Sequence, residues 1–255
     1  METPEEFTRI ESYFVRHRNA LVVRGQFTPI YTDYYLHLMQ HGLRYPAELD
    51  QMLKDALSVL TLHLVARPWA ETVAWTVNLR APRINLFVTG GSIQESVTGR
   101  VFTEDVREPD RNFFYSQTTS QQFAEPRTST MEVHGKDPVA WIEEYYSQSE
   151  QRPGRTFRLS DEHFVLVAAQ PDCDMEWLEA LTEEDVLKLG ETESLKLLET
   201  RKFRFHCGCT LERILPILGG WKDRLDDLFQ GEEIIRVQCP RCAAKYEVTR
   251  GMLEE

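Results

Sequence analysis

Positive charge is scarce in this sequence. Its 255 residues carry 29 Lys and Arg against 41 Asp and Glu, a formal net charge of −12. Such a surface repels phosphates and anionic headgroups, so neither nucleic acid nor membrane is an expected partner. Long apolar runs are also missing. The longest, Phe164 to Ala169, is far short of the ~20 residues a membrane helix needs. The opening residues Met1 to Glu6 hold neither a basic nor an apolar stretch, so no secretory leader is expected and the chain reads as cytoplasmic. With 13 glycines and 12 prolines there is no low-complexity tract, and no internal repeat is visible. The nucleophile elbow, the P-loop and the dinucleotide glycine fingerprint are all absent, and no enzyme is expected. What remains is an ordinary globular composition.

Changes of hydrophobic period divide the chain into three regions. The first, residues 1–170, reads as a mixed α/β sheet domain. Thr32 to His41 has helical spacing, with Tyr35, Leu38 and Met39 on one face and Gly42 as its C′ residue. Pro46 can open a second helix, Ala47 to Val65. The period then becomes two: Val73 to Leu79 and Ile84 to Val88 form a hairpin, with further strands at Gln94 to Thr103, Arg127 to Val133, Arg155 to Leu159 and His163 to Ala169. Asp137-Pro138 caps a helix reaching Tyr146. Helices and hairpins mix without βαβ alternation, so the class is α+β. Trp75, Trp141 and Trp177 read as packing residues.

The second region, 171–206, is short, with 10 acidic against 5 basic residues. It predicts helices at Asp174 to Leu181, after the Thr182–Asp185 capping box and ending at Gly190, and at Glu193 to Thr200. None is long enough to be stable alone. Its leucines must therefore dock on something.

The third region, 207–255, holds Cys207, Cys209, Cys239 and Cys242, two close pairs with 29 residues between Cys209 and Cys239. Helices are expected at Leu211 to Leu218 and Trp221 to Phe229, and strands at Ile234 to Gln238 and Lys245 to Val248. Two thiol pairs on tight turns are what a tetrahedral four-thiolate zinc site requires. Spacing fits both a zinc staple with no further role and a redox switch, since the thiolate is the form oxidants attack. Cys173 stands apart as a free thiol, and His206 reads as a bystander beside the cysteines. A thioredoxin-like use of Cys239-Pro-Arg-Cys242 would need a helix after the motif, where a strand is expected.

The Cys-X-Cys and Cys-X-X-Cys layout resembles the heat-shock protein 33 family, redox-regulated holdase chaperones of bacteria. Leu21-Val22-Val23-Arg24-Gly25, the hairpin Val73 to Val88, Ser149-Glu150-Gln151-Arg152-Pro153 and Phe203 to Cys209 resemble family segments in the same order, with a linker shorter than the family's usual one. The resemblance implies an N-terminal α+β domain (1–170), a short, metastable helical linker (171–206) and a small C-terminal zinc domain (207–255). It implies one Zn²⁺ per reduced chain on Cys207, Cys209, Cys239 and Cys242. It further implies that oxidation forms Cys207–Cys209 and Cys239–Cys242 disulfides, expels zinc, unfolds the linker and lets the chain hold unfolding client proteins without ATP, as a homodimer. In that reading the client-binding candidates are the linker's Trp177, Leu178, Leu181, Val186, Leu187, Leu195 and Leu198. The alternative is a constitutive zinc-stapled protein-interaction adaptor.

Overall fold

A computed structural model describes residues 6–120 and 125–254. Met1 to Glu5, on which the expectation of no leader mostly rests, lie outside the described residues. In chain order the elements are β1 (Thr8–Val15), β2 (Ala20–Gln26), α1 (Thr28–Gln40), α2 (Ala47–Val65), β3 (Glu71–Leu79), β4 (Ile84–Gly91), β5 (Ser96–Phe102), β6 (Phe113–Ser120), β7 (Arg127–Glu132), α3 (Pro138–Gln148), β8 (Gly154–Arg158) and β9 (His163–Ala169). There follow α4 (Met175–Ala180), α5 (Glu183–Leu187), α6 (Leu189–Thr192), β10 (Leu195–Phe205), α7 (Leu211–Leu218), a 3-10 turn (Gly219–Arg224), α8 (Leu225–Phe229), β11 (Ile234–Gln238), β12 (Lys245–Thr249) and α9 (Gly251–Glu254). The class is α+β, as the mixture of periods indicated. Among the described residues no helix is long and apolar enough to cross a membrane.

Ten strands form one sheet in the order β7-β6-β3-β4-β5-β10-β1-β2-β9-β8, and β11 and β12 form a separate hairpin. One face of the large sheet is covered by α1, α2 and α3. Helix α2 is apolar nearly all round because it is wedged between sheet and helices, burying Leu49, Met52, Leu53, Leu57, Leu60 and Leu64. Ser58 pairs with the Tyr31 hydroxyl, Asp55 with Arg158, and His63 Nδ1 with the Tyr146 hydroxyl, while His63 Nε2 is buried without a partner. Trp75 and Trp141 are buried in this core, as read. Asp137 caps α3 by accepting from the Val139 amide.

Against the opposite face, at β1, β2, β8 and β9, a second core forms from Val15, Val22, Phe157, Val165 and Val167 with Leu178, Leu181, Val186 and Leu189 of the short helices. The docking demanded by the leucines of 171–206 is therefore met by the sheet itself. Arg18, in the β1–β2 turn, ties down both ends of the helical stretch. It reaches Asp174 at 2.7 Å and Glu193 at 3.0 Å, with its guanidinium over the Trp177 ring. Thr182 and Asp185 form the expected capping box on α5.

Acid should loosen these caps first. The Asp174 carboxyl is held below its ordinary value by the Trp177 amide and then by Arg18, and Asp185 is held low by the Thr182 hydroxyl. A carboxyl with a depressed folded pKa stabilises fully above its unfolded value, near 3.9, and loses that contribution as pH falls through its folded one. Lowering pH below about 4 should thus free α4 and α5 before the sheet. The measurement is Trp177 fluorescence, taken as the difference from Trp177→Phe. A signal that moves only with the global transition would refute this order.

Four expectations need correction. Helix α1 starts earlier, at Thr28, and its inward face is Ile30, Tyr31, Tyr34 and Leu38; Tyr35 and Met39 are exposed. Glu193 to Thr200 is not helical. It enters β10, which fills the slot between β1 and β5, pairing antiparallel with β1 from Leu195 to Phe203 and parallel with β5 at Arg204 and Phe205. Strand pairing has overridden the helix-forming Leu-Lys-Leu-Leu-Glu sequence. Gly190 does not end α5 but lies inside the one-turn α6. Of the predicted Trp221 to Phe229 helix, only Leu225–Phe229 is α-helical, after a 3-10 turn that contains Gly219 and Gly220. The strands β1, β2 and β6 were not predicted.

Candidate metal centre

The first cysteine pair leaves the large sheet directly. After β10, the His206 amide donates to Val97 O at 2.9 Å, so Cys207 begins where the sheet is still ordered. Gly208 between the cysteines has φ +68, a left-handed conformation that turns both sulfurs to one side. Arg213 braces this turn by donating to Gly208 O. Thr210 then caps α7 by accepting from the Arg213 amide.

The second pair sits on the tight turn joining β11 to β12. The Cys239 amide donates to Ala244 O at 2.8 Å and the Ala243 amide to Cys239 O at 2.9 Å. Cys239 and Cys242 are buried, and Cys207 and Cys209 are half-buried. The motif lies between two strands, which is not the strand-to-helix setting of a thioredoxin-like site.

All four sulfurs lie within 4.8 Å of one another. Cys207 and Cys239 Sγ are 3.7 Å apart, and Cys209 and Cys242 Sγ 3.4 Å apart. A tetrahedron of sulfurs with metal bonds of about 2.3 Å has edges of ~3.8 Å. The residues therefore fit a four-thiolate site, and a soft all-sulfur donor set suits zinc. Four thiolates so close repel one another unless a cation sits between them. A hydrogen bond shared with Cys239 pushes the Cys207 thiol up to about 12 and holds Cys239 low. The Tyr246 hydroxyl donates to Cys209 O at 2.9 Å and lies 3.2 Å from Cys209 Sγ. Proximity to Cys209, after burial, raises its own pKa.

Around the cluster there is little else to hold the chain. In this module Phe229, Val248 and Leu253 form a buried centre, with partly buried leucines, Ile235 and Val237 packed around them.

Neither His206, which is exposed, nor Cys173 is in the cluster. Cys173 packs half-buried at the margin of the second core, and burial raises its thiol pKa. The linker candidates divide in three. Leu178, Leu181 and Val186 are buried against the sheet, Trp177 and Leu195 are half-buried at its margin, and Leu187 and Leu198 are exposed. Sequence reasoning missed Tyr246, as well as Arg100 and His37, which also touch this region. All three reach it through backbone carbonyls, and no local spacing marks such contacts.

Comparison with known proteins agrees with this geometry. A family model described as Hsp33 protein matches residues 159–249, from the turn between β8 and β9 through β12. The 33 kDa chaperonin of Aliivibrio salmonicida is 25% identical over 260 residues, covering 89% of this chain and 88% of that protein. That of Proteus mirabilis is 24% identical over 276 residues, covering 93% and 92%. The 33 kDa chaperonin of Bacillus subtilis is 36% identical over 75 residues, 29% of this chain and 26% of its own length. The solved structure of the 33 kDa chaperonin (heat shock protein 33 homolog) of Thermotoga maritima aligns with a TM-score of 0.73 at 16% identity. The match covers 98% of this chain and 97% of the other, a likeness of fold. The resemblance to the heat-shock protein 33 family, first carried by the cysteine spacing, thus holds in the family match, in relatives over most of the chain and in the fold.

Proposed function

We propose that this chain, with its match to the Hsp33 family, is a redox-regulated holdase chaperone that binds unfolding proteins without ATP. One observation carries the reading: the apolar helices α4 to α6, docked on the second sheet face, lead through β10 directly into Cys207. A segment that hides apolar surface is joined to a cluster of oxidisable sulfurs.

In the reduced state one Zn²⁺ per chain on Cys207, Cys209, Cys239 and Cys242 would hold all four sulfurs as thiolates. Each oxidation joins two thiolates in one disulfide and passes two electrons to the oxidant. With hypochlorous acid, two thiolates, one HOCl and one proton give a disulfide, chloride and water. The pairs are Cys207–Cys209 and Cys239–Cys242, and after both form, no thiolate donor remains for the metal. The C-terminal module loses its organising centre, the pull on β10 changes, and α4 to α6 leave the sheet. Trp177, Leu178, Leu181, Val186, Leu187, Leu195 and Leu198 then become client-binding surface. Unfolding proteins in the cytoplasm are the partners, the oxidised form is a homodimer, and no turnover is involved.

The test follows zinc release and suppression of client aggregation together, on reduced protein and after hypochlorite. The expected result is about one zinc per chain released and aggregation suppression that appears only then. Zinc that stays bound, or that leaves without any gain in holding activity, would make the chain a static zinc-stapled adaptor.

A further inference from the structure

The second cysteine pair is gripped from outside its own module. Arg100, on β5, donates from Nη1 to Cys239 O at 3.1 Å and from Nη2 to Gln238 Oε1 at 3.2 Å. His37, on α1, has Nε2 2.8 Å from Cys242 O. A carbonyl can only accept, so His37 carries its hydrogen on that nitrogen. At the C-cap of α1, His41 Nδ1 accepts from the Lys245 amide at 3.2 Å, and Lys245 Nζ points at Gly42 O. The sequence separations are 139 and 205 residues, so these are contacts between the sheet domain and the metal turn.

We infer that Arg100 and His37 are positioning residues for the metal site, holding the Cys239–Cys242 turn against β5 and α1 so that this pair cannot swing away from Cys207 and Cys209. The two halves of the tetrad have different supports. Cys207 and Cys209 continue a strand that is paired at its end to β5. Cys239 and Cys242 ride on a two-stranded hairpin, an element with little stability of its own. Apart from the metal, the hairpin is tied to the sheet domain by these polar contacts and by the His41 ring against Tyr246, with centres 6.0 Å apart. Beside this seam lies an open groove of about 360 Å³, lined by Arg44, Tyr45, Phe102, Gln238 and Lys245 among others. A seam held by a few directed hydrogen bonds parts when they break, whereas a broad apolar interface resists in proportion to its area.

Arg100 suits this role because its guanidinium presents donors in a fork, and it spans the Cys239 carbonyl and the Gln238 side chain at once. Its Cζ also lies 4.0 Å from the centre of the Phe102 ring, which fixes the plane of the fork. On the other side the His37 ring leans on Phe205, two residues before Cys207, with ring centres 5.3 Å apart. His37 thus touches the supports of both cysteine pairs.

This inference rests on the zinc-site reading, and its test separates the two. Zinc transfer from reduced protein to a colorimetric chelator is timed for the parent, Arg100→Gln, His37→Ala and the double variant. Each single variant should load one zinc per chain and release it about tenfold faster, the double variant faster still. Arg100→Lys and His37→Gln, which each restore one donor to the carbonyl, should recover part of the slow rate. Equal release from the double variant and the parent would overturn the inference. Should Arg100→Gln or His37→Ala fail to load zinc, the zinc-loaded Arg100→Lys and His37→Gln proteins decide: amide exchange at Ala243 and Lys245 faster than in the zinc-loaded parent supports the grip, and exchange equal to the parent's overturns it. Faster release without any aggregation suppression after oxidation would leave the positioning role intact and remove the chaperone reading.

Discussion

Cys242→Ser is expected to cost the chain its metal and, with it, the fold of residues 207–254. A serine hydroxyl does not replace a thiolate toward a soft cation, so the variant keeps three ligands of four. The module has little to fall back on. Its fully buried centre is Phe229, Val248 and Leu253, with partly buried side chains around them, a small core for a module of this length. Its strands β11 and β12 have five residues each, and α7 has eight with Pro216 inside it. Metal binding at a four-thiolate site is worth on the order of 10 kcal/mol of folding free energy, comparable to the whole stability of a small domain. The large sheet, whose core is independent of the cluster, should keep its thermal transition. Methyl resonances of Val248 and Leu253 report the result: they should collapse to unfolded positions in Cys242→Ser and in parent protein stripped by chelator. Resonances that stay dispersed without metal would show that leucine packing alone suffices.

The four-cysteine cluster was readable in the sequence because its members sit in two local motifs, and local turns suffice to bring the sulfurs together. The hairpin β3–β4 was readable for a similar reason: one face meets α2 and the other is half-exposed, so apolar residues alternate. The strand β2 gave no such signal. Leu21 and Val23 face the helical core while Ala20 and Val22 face the docked linker, so Ala20 to Val23 is apolar throughout and its period vanishes. The strand β10 misled in another way. Its pairing is bulged, the register with β1 shifting at Ser12 and Tyr13. This puts Leu195 in the second core with Val15 while Phe203 lies in the first. Such a mixed pattern looks helical in one dimension. The grip of Arg100 and His37 was invisible because it joins elements far apart in the chain through backbone carbonyls, which every residue type possesses. The docking of α4 to α6 was inferred correctly from energetics: helices too short to stand alone yet rich in leucine have to cover something.

That same weakness carries the second large expectation. Leu178→Ala should open the linker without any oxidant. Leu178 is 1% exposed, in a core where the linker supplies only Leu181, Val186 and Leu189 as other fully buried side chains. The helices that carry them have six, five and four residues, so docking, not helix propensity, keeps them in place. Removing a buried leucine side chain costs about 2–5 kcal/mol. At 1.4 kcal/mol per decade this raises the population of the undocked linker roughly 30- to 4,000-fold. The large sheet loses no strand by this, since α4 to α6 lie on its face while β10 stays paired between β1 and β5. The reduced variant should keep its zinc, show fast amide exchange over 174–192 and suppress client aggregation before any disulfide forms. Leu187→Ala makes the contrast: Leu187 is 67% exposed, so its loss should leave docking intact. If it does bind clients once the linker opens, the oxidised variant should hold fewer of them. A Leu178→Ala protein whose linker exchanges freely while holding activity still waits for oxidation would locate the client surface elsewhere. It would sever the link between the docked helices and the sulfur cluster on which the proposed function depends.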